Sequence, residues 1–131
     1  LSILQHVADL SYASVLKRAG CQSGAECLMH CSYNDGKRNL DQTLFFARPK
    51  SYSLLQPNLK IESIEQQSPT DWTIHISAFR PALFVWLDIP SNITGYFSRN
   101  GFHLFTPRAI VDFHSWIPIS DLQVRIHSLF D

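Results

Sequence analysis

The segment Trp72–Ala78, "WTIHISA", alternates strictly between apolar and polar residues. Trp72, Ile74, Ile76 and Ala78 fall on one side of an extended chain, and the three polar residues fall on the other. Because side chains of a β-strand alternate between its two faces, this pattern predicts a strand with one face in a hydrophobic core. Such a face needs a second layer of structure to cover it.

Further strand-like segments recur along the chain between turn-forming residues. Tyr12–Ala19 predicts a short helix ended by Gly20, and Asn34–Lys37 predicts a hairpin turn. Ala82–Asp88 is apolar on both faces, which predicts a central strand. The other predicted strands are Ile3–Val7, Cys27–Tyr33, Thr43–Ala47, Leu59–Glu65, Ala109–Trp116 and Leu122–Ser128. This order predicts an all-β chain with an immunoglobulin-like antiparallel β-sandwich.

Length and charge restrict the class of protein. The 131 residues suit a single domain, predicted over residues 1–131, and a hydrophobic content of 45% can fill a core.

Eleven basic and eleven acidic residues balance, so we expect no nucleic-acid partner. The longest apolar run, Pro81–Leu87, is far shorter than the ~20 residues that span a bilayer, so we expect no membrane partner. The chain begins at Leu1 and its single Met is Met29, which predicts a fragment or a processed product.

The cysteines allow a disulfide or a zinc site. A zinc site would use Cys21, Cys27 and Cys31, but a strand from Cys27 would point His30 to the opposite face and a fourth ligand is missing. We therefore favour a Cys21–Cys27 disulfide, with a Cys21–Cys31 bridge as the rival, and expect Cys31 to be a buried free thiol. A disulfide implies an oxidising, secretory compartment. We predict no metal and no cofactor.

Titratable residues do not predict a catalytic site. Glu62 and Glu65 are three residues apart, which on a regular strand predicts opposite faces, whereas a glycosidase needs two carboxyl groups facing one sugar. His75 and His127 lie on the polar sides of their strands and are interpreted as surface imidazoles that would become charged in an acidic lumen. We predict no catalytic residue in this chain.

Aromatic residues and one short motif mark the second half. Trp72 and Trp86 lie in strongly apolar patterns and are predicted core residues, whereas Trp116 near a strand end is the candidate for exposure. Asn92-Ile93-Thr94 is an N-glycosylation sequon in a predicted turn, so Asn92 is a candidate glycosylation site.

A second turn follows the sequon. Asn100 and Gly101 readily adopt positive φ, so Arg99-Asn100-Gly101 predicts a sharp structural turn. Phe97 and Phe102, on either side of it, are expected to anchor this turn to the core.

The stretch "FVWLDIPSNITGYFSRNGFHLF" from Phe84, followed by "IVDFHSW", resembles the C-terminal end of animal lysosomal β-mannosidases. That family has "FVWLD"-type and "FSDNGF" segments, so Arg99 replaces its usual Asp. The segment "LKRAGCQSGAECLMHCSYNDG" is similar to the family's preceding region. The match is most extensive over residues 58–131, and residues 1–40 contain the Cys loop.

The resemblance implies an accessory domain of a retaining glycoside hydrolase. The family's parent enzyme removes terminal β-D-mannose from the non-reducing ends of glycoprotein oligosaccharides in the lysosomal lumen. Its two catalytic glutamates belong to a (β/α)8 barrel of about 250 residues, which this chain cannot contain. The implied partners are that barrel and a neighbouring β-sandwich of the same polypeptide. We expect the sandwich to be incomplete at its N-terminal side.

A free-standing secreted carbohydrate- or protein-binding β-sandwich is the alternative. It predicts exposed tryptophans that contact a ligand, whereas an accessory domain predicts mostly buried ones.

Overall fold

The computed structural model describes residues 11–131, and the chain divides into two compact units, Leu1–Leu54 and Leu55–Asp131. The predicted strand Ile3–Val7 lies outside the described residues. The prediction of one domain over residues 1–131 stays a prediction, and the two units are described separately below. Between residues 11 and 131, no helix combines the length and the apolar character needed to cross a membrane.

The first unit contains the predicted short helix. Helix α1 spans Tyr12–Ala19, and its first turn is capped by the Ser11 hydroxyl, which accepts a hydrogen bond from the Ser14 N–H. Gly20 ends the helix in the left-handed conformation at φ +77°, which a glycine adopts without steric cost. The prediction of a helix stopped at Gly20 is therefore confirmed.

A two-stranded ribbon follows the helix. Strands β1 (Leu28–Asn34) and β2 (Asn39–Phe45) pair antiparallel in the first unit. The Asp35 carboxylate accepts hydrogen bonds from the Lys37 and Arg38 N–H groups at 2.8 and 2.7 Å, which closes the predicted hairpin turn. These hydrogen bonds hold the pKa of Asp35 below its usual value. A short 3₁₀ helix, Pro49–Ser51, comes after the ribbon.

The second unit is the β-sandwich. Its seven strands, all in the described part of the chain, are β3 (Lys60–Gln66), β4 (Asp71–Ser77), β5 (Ala82–Asp88), β6 (Gly95–Phe97), β7 (Phe102–Leu104), β8 (Arg108–Ser115) and β9 (Arg125–His127). They form a four-stranded sheet in the order β3-β4-β8-β6 and a three-stranded sheet in the order β7-β5-β9. All paired strands are antiparallel. The predicted immunoglobulin-like sandwich is confirmed.

The core lies between the inward faces of these strands. Strand β4 buries Trp72, Ile74 and Ile76, as its alternation predicts. The neighbouring strand β8 of the same sheet buries Val111 and Phe113 beside them. Strand β5, β7 and the segment before β9 complete the core with Ala82, Val85, Leu87, Leu104 and Leu122. Burial of a side chain of this size stabilises the fold by roughly 1.5–3 kcal/mol.

Strand β5 was predicted to be a central strand, buried on both faces. This prediction was wrong, because one face of β5 is exposed. Ala82, Val85 and Leu87 belong to the core, but Phe84 and Trp86 are 38% and 47% exposed. The pairing of β5 with β7 is irregular between Ala82 and Val85, and Phe84 has a positive φ of 51° there. This bulge determines which side chains after it face the core, since the residues that follow it alternate regularly between the two faces.

Candidate functional site

The corner between β6 and β7 is built around Asn100. The Asn100 side-chain oxygen accepts a hydrogen bond from the Leu87 N–H at 2.8 Å, and its nitrogen donates to the Leu87 carbonyl at 2.9 Å. Gly101 follows at φ +67°, and a Cβ there would lie 3.3 Å from the Trp86 ring. The predicted turn residues therefore join the corner directly to strand β5.

The residues around this corner also contact the core. Phe97 packs against Phe113 with ring centroids 5.0 Å apart, and Phe102 contacts the core as well. Arg99 lies 4.4 Å from the centre of the Phe102 ring and donates a hydrogen bond to the Ile110 carbonyl. Arg99, which stands where the resembling family has Asp, thus contributes a cation–π contact to the corner.

The outward face of the four-stranded sheet carries a polar cluster. Asp71 on β4 and His114 on β8 are paired in register, and Asp71 Oδ1 lies 2.7 Å from His114 Nδ1. The Tyr96 ring lies 5.5 Å from the imidazole, and Thr73 donates to the Asp112 carboxylate at 3.0 Å. These residues line an open depression of about 340 Å³. We call them the Asp71 cluster: Asp71, Thr73, Tyr96, Asp112 and His114.

The electrostatics of this cluster centre on Asp71. The hydrogen bond with His114, together with those from Ser68 and Thr70, lowers the pKa of Asp71 to about 2. Hydrogen bonds to a carboxylate stabilise its charged form. Asp71 therefore stays ionised down to acidic pH, and its charged carboxylate is the partner of His114.

Other histidines also lie beside acidic groups. His75 Nε2 is 3.5 Å from Glu65, and His127 Nε2 is 3.1 Å from Asp88. Both histidines are on outward faces, as predicted, whereas the sequence pattern did not indicate their acidic partners. His127 and Asp88 lie on the paired strands β9 and β5, so only the strand register could have identified this pair.

Glu62 and Glu65 lie on the same face of the sheet, which corrects the prediction of opposite faces. Glu62 accepts a hydrogen bond from Ser77 and pairs with Lys60, and Glu65 contacts His75. The pairing of β3 with β4 shifts between Ile61 and Ser63, and this irregularity returns both glutamates to the outward side. The pKa of Glu62 is lowered, first by the Ser77 hydrogen bond and then by Lys60. Each carboxylate is thus held by its own neighbours.

The structure joins Cys21 and Cys27 in a disulfide, with Cα atoms 6.1 Å apart. Cys31 is a free thiol, but it is exposed and not buried as predicted. The reason is that β1 lies in a two-stranded ribbon, and the residues of β1 from His30 to Asn34 are all exposed. Within residues 11–131, no group of three or more His, Cys, Asp or Glu side chains is placed to hold a metal ion.

The three tryptophans differ in exposure. Trp72 is buried, as predicted, and Trp116 is 68% exposed. Trp86 was predicted to lie in the core, but it is exposed, and its Nε1 donates to Asp88 at 3.0 Å. Its neighbours Val85 and Leu87 both face inward, which places Trp86 on the outward face of β5.

Asn92 lies on the surface, in a turn closed by a hydrogen bond from the Ile93 N–H to the Pro90 carbonyl. Thr94, the third residue of the sequon, is also exposed. The Trp116 N–H donates to the Thr94 carbonyl at 3.0 Å, which connects the sequon to the end of β8.

A family model described as an Ig-fold domain, Ig_mannosidase, matches residues 54–131. The match covers more than half of the chain and coincides with the β-sandwich unit, Leu55–Asp131. No curated protein matches the chain.

Proposed function

The chain belongs to the Ig_mannosidase family of Ig-fold domains, and from this premise we propose that it is the C-terminal accessory domain of a lysosomal β-mannosidase. The parent enzyme would hydrolyse terminal β-D-mannose from the non-reducing ends of glycoprotein oligosaccharides. The observation that carries this proposal is the coincidence of the family match with the sandwich unit.

In this proposal, the catalytic residues lie in a separate (β/α)8 barrel and not in this domain. A retaining glycosidase uses two carboxyl groups about 5–5.5 Å apart, one as acid/base and one as nucleophile. The outward glutamates of this domain are held instead by Ser77, Lys60 and His75. The structure thus gives both glutamates partners within the sheet, and we propose that the domain acts by packing against the catalytic barrel and a neighbouring β-sandwich.

The Asp71 cluster supports an acidic compartment. A pKa of about 2 keeps Asp71 charged at lysosomal pH, so its hydrogen bond with His114 persists there. The sheet face that carries this pair therefore suits a protein that stays folded at low pH.

The exposed tryptophans favour the second candidate function, a sugar- or protein-binding module. Trp86 and Trp116 are 47% and 68% exposed. One side of the Trp86 ring lies against Gly101, which leaves a flat aromatic surface of the kind that stacks on sugar rings. In an accessory domain, the same two rings would pack against the neighbouring domains.

The proposal can be tested on the native protein that carries this segment. An antibody against the chain would isolate the protein, which would then be sized on a denaturing gel and assayed with an aryl β-mannoside. An aryl α-mannoside serves as the matched control substrate. A band much larger than 15.0 kDa with β-specific hydrolysis supports the accessory domain. A band near that mass without hydrolysis would favour the free-standing module.

A further inference from the structure

A depression next to the sequon combines polar and apolar side chains. It has a volume of about 510 Å³, within the range of about 300–1,000 Å³ that is typical of small-molecule sites. We call it the Asn92 depression. It is lined by Pro90, Asn92, Ile93, Pro118, Ile119, Ser120, Asp121 and Gln123.

The segment opposite Asn92 has a fixed position. Ile119 donates a hydrogen bond to the Pro69 carbonyl at 3.0 Å and accepts one from the Gln66 side chain at 3.2 Å. Ile119 also packs against the hydrophobic core. The segment from Pro118 to Gln123 is therefore a pre-formed wall of the depression and does not need a ligand to define its position.

The polar groups of the depression are available to a ligand. Among residues 11–131, no hydrogen-bond partner is found for the side chains of Asn92, Ser120, Asp121 and Gln123. Hydroxyl, carboxylate and amide groups of this kind bind the hydroxyl and acetamido groups of a sugar, and proline and isoleucine side chains contact its apolar face. The mixture suits an amino sugar better than a charged or purely apolar ligand.

We propose that Asn92 carries an N-linked glycan whose first N-acetylglucosamine occupies the Asn92 depression and connects the Pro90–Ile93 turn to the Pro118–Gln123 segment. In the modification, the Asn92 amide nitrogen forms a bond to the anomeric carbon of an oligosaccharide donor carried on a lipid pyrophosphate. The carbon–oxygen bond to the pyrophosphate breaks, the pyrophosphate keeps the electron pair, and the amide loses one proton. The proposal rests on a secretory compartment and not on the identity of the parent enzyme.

The first experiment establishes the modification. The complete protein would be secreted from a eukaryotic cell and its mass measured before and after treatment with a glycan-releasing amidase. We expect a mass loss that maps to the peptide containing Asn92. Thr94→Ala should abolish it, whereas the matched control Thr94→Ser keeps the sequon and should retain it. An unmodified wild-type peptide would overturn the proposal while leaving the β-mannoside assay unaffected.

The second experiment tests the position of the first sugar. Hydrogen exchange at Ile119, Ser120, Asp121 and Gln123 would be compared in three forms: intact, trimmed by an endoglycosidase to one N-acetylglucosamine, and fully deglycosylated. We expect the intact and trimmed forms to exchange about tenfold more slowly than the deglycosylated one. The double variant Asp121→Ala/Gln123→Ala should keep the glycan but lose this protection. Equal exchange in all three forms would show that the sugar lies elsewhere.

Discussion

The side chain of Asn100 satisfies both backbone groups of Leu87, at 2.8 Å to its N–H and 2.9 Å to its carbonyl. Leu87 is 1% exposed, so water cannot replace these two hydrogen bonds. The Asn100 side-chain amide thus makes the two hydrogen bonds that the backbone of a paired strand residue would make with Leu87. This relationship explains why a turn between two three-residue strands holds a defined position.

Replacing Asn100 with Ala should destabilise the complete protein by about 2–4 kcal/mol, because it leaves a buried donor and a buried acceptor without partners. The measurement is urea unfolding followed by tryptophan fluorescence. Asn92→Ala is the control, compared with the deglycosylated wild-type protein. Because Asn92 is exposed, this substitution should change the free energy of unfolding by less than about 0.5 kcal/mol. Equal effects of the two substitutions would contradict the role given to Asn100.

Gly101→Val should destabilise strongly, by about 3 kcal/mol, because a β-branched residue is strained at φ +67° and its Cβ would press on the Trp86 ring. Gly36→Val separates the two causes. Gly36 has φ +84° but open space around it, so this control carries the backbone strain alone. Thermal unfolding should show a larger loss for Gly101, and a near-wild-type melting temperature for Gly101→Val would disprove the account of the corner.

Trp72→Phe should leave stability unchanged or raise it by up to about 1 kcal/mol. The Trp72 Nε1 group is buried and has no hydrogen-bond partner among the described residues, so the phenyl ring removes an unsatisfied donor and keeps most of the apolar surface. Trp72→Ala is the contrasting variant and should cost about 3–5 kcal/mol through the cavity it creates. A large loss for Trp72→Phe, seen in denaturant unfolding, would mean that the indole N–H has a partner in the folded protein.

Stability should fall with pH in a window set by Asp71. Its pKa is lowered from 3.8 to about 2, so its contribution is fully present above pH 3.8 and is lost as pH falls through about 2. In Asp71→Asn, the urea midpoint should vary less with pH between these two values, because the amide does not titrate. Asp121→Asn, at an exposed residue, is the control and should keep the wild-type slope. A wild-type profile in Asp71→Asn would assign the acid sensitivity to another group.

Thiol counting tests the cysteine assignment. Alkylation of the denatured, unreduced segment should add one label, because Cys21 and Cys27 form the disulfide and Cys31 is free. In the folded protein the same label should react quickly, since Cys31 is exposed. Three labels without reduction would support the metal-site alternative, and slow labelling of the folded protein would indicate that another domain covers Cys31.

Local sequence patterns determined much of the secondary structure in both units. The alternation of Trp72, Ile74 and Ile76 specified the inward face of β4, and the Asn34–Lys37 segment specified the hairpin turn, because side-chain period and turn chemistry depend on neighbouring residues. The family resemblance over residues 58–131 is consistent with the Ig-fold match at residues 54–131. The precise enzyme, its compartment and its partner domains stay proposals.

Tertiary structure alone decided which side chains meet. The irregular pairing after Ala82 places Trp86 outside, and the one after Ile61 brings Glu62 and Glu65 to one face. The Asp71–His114 pair likewise depends on the register of β4 with β8. Bulges and register arise from hydrogen bonds between strands that are distant in sequence, so no local pattern contains them. The sequence by itself therefore determined the strands and their apolar faces, and the folded sheets determined the surfaces they present.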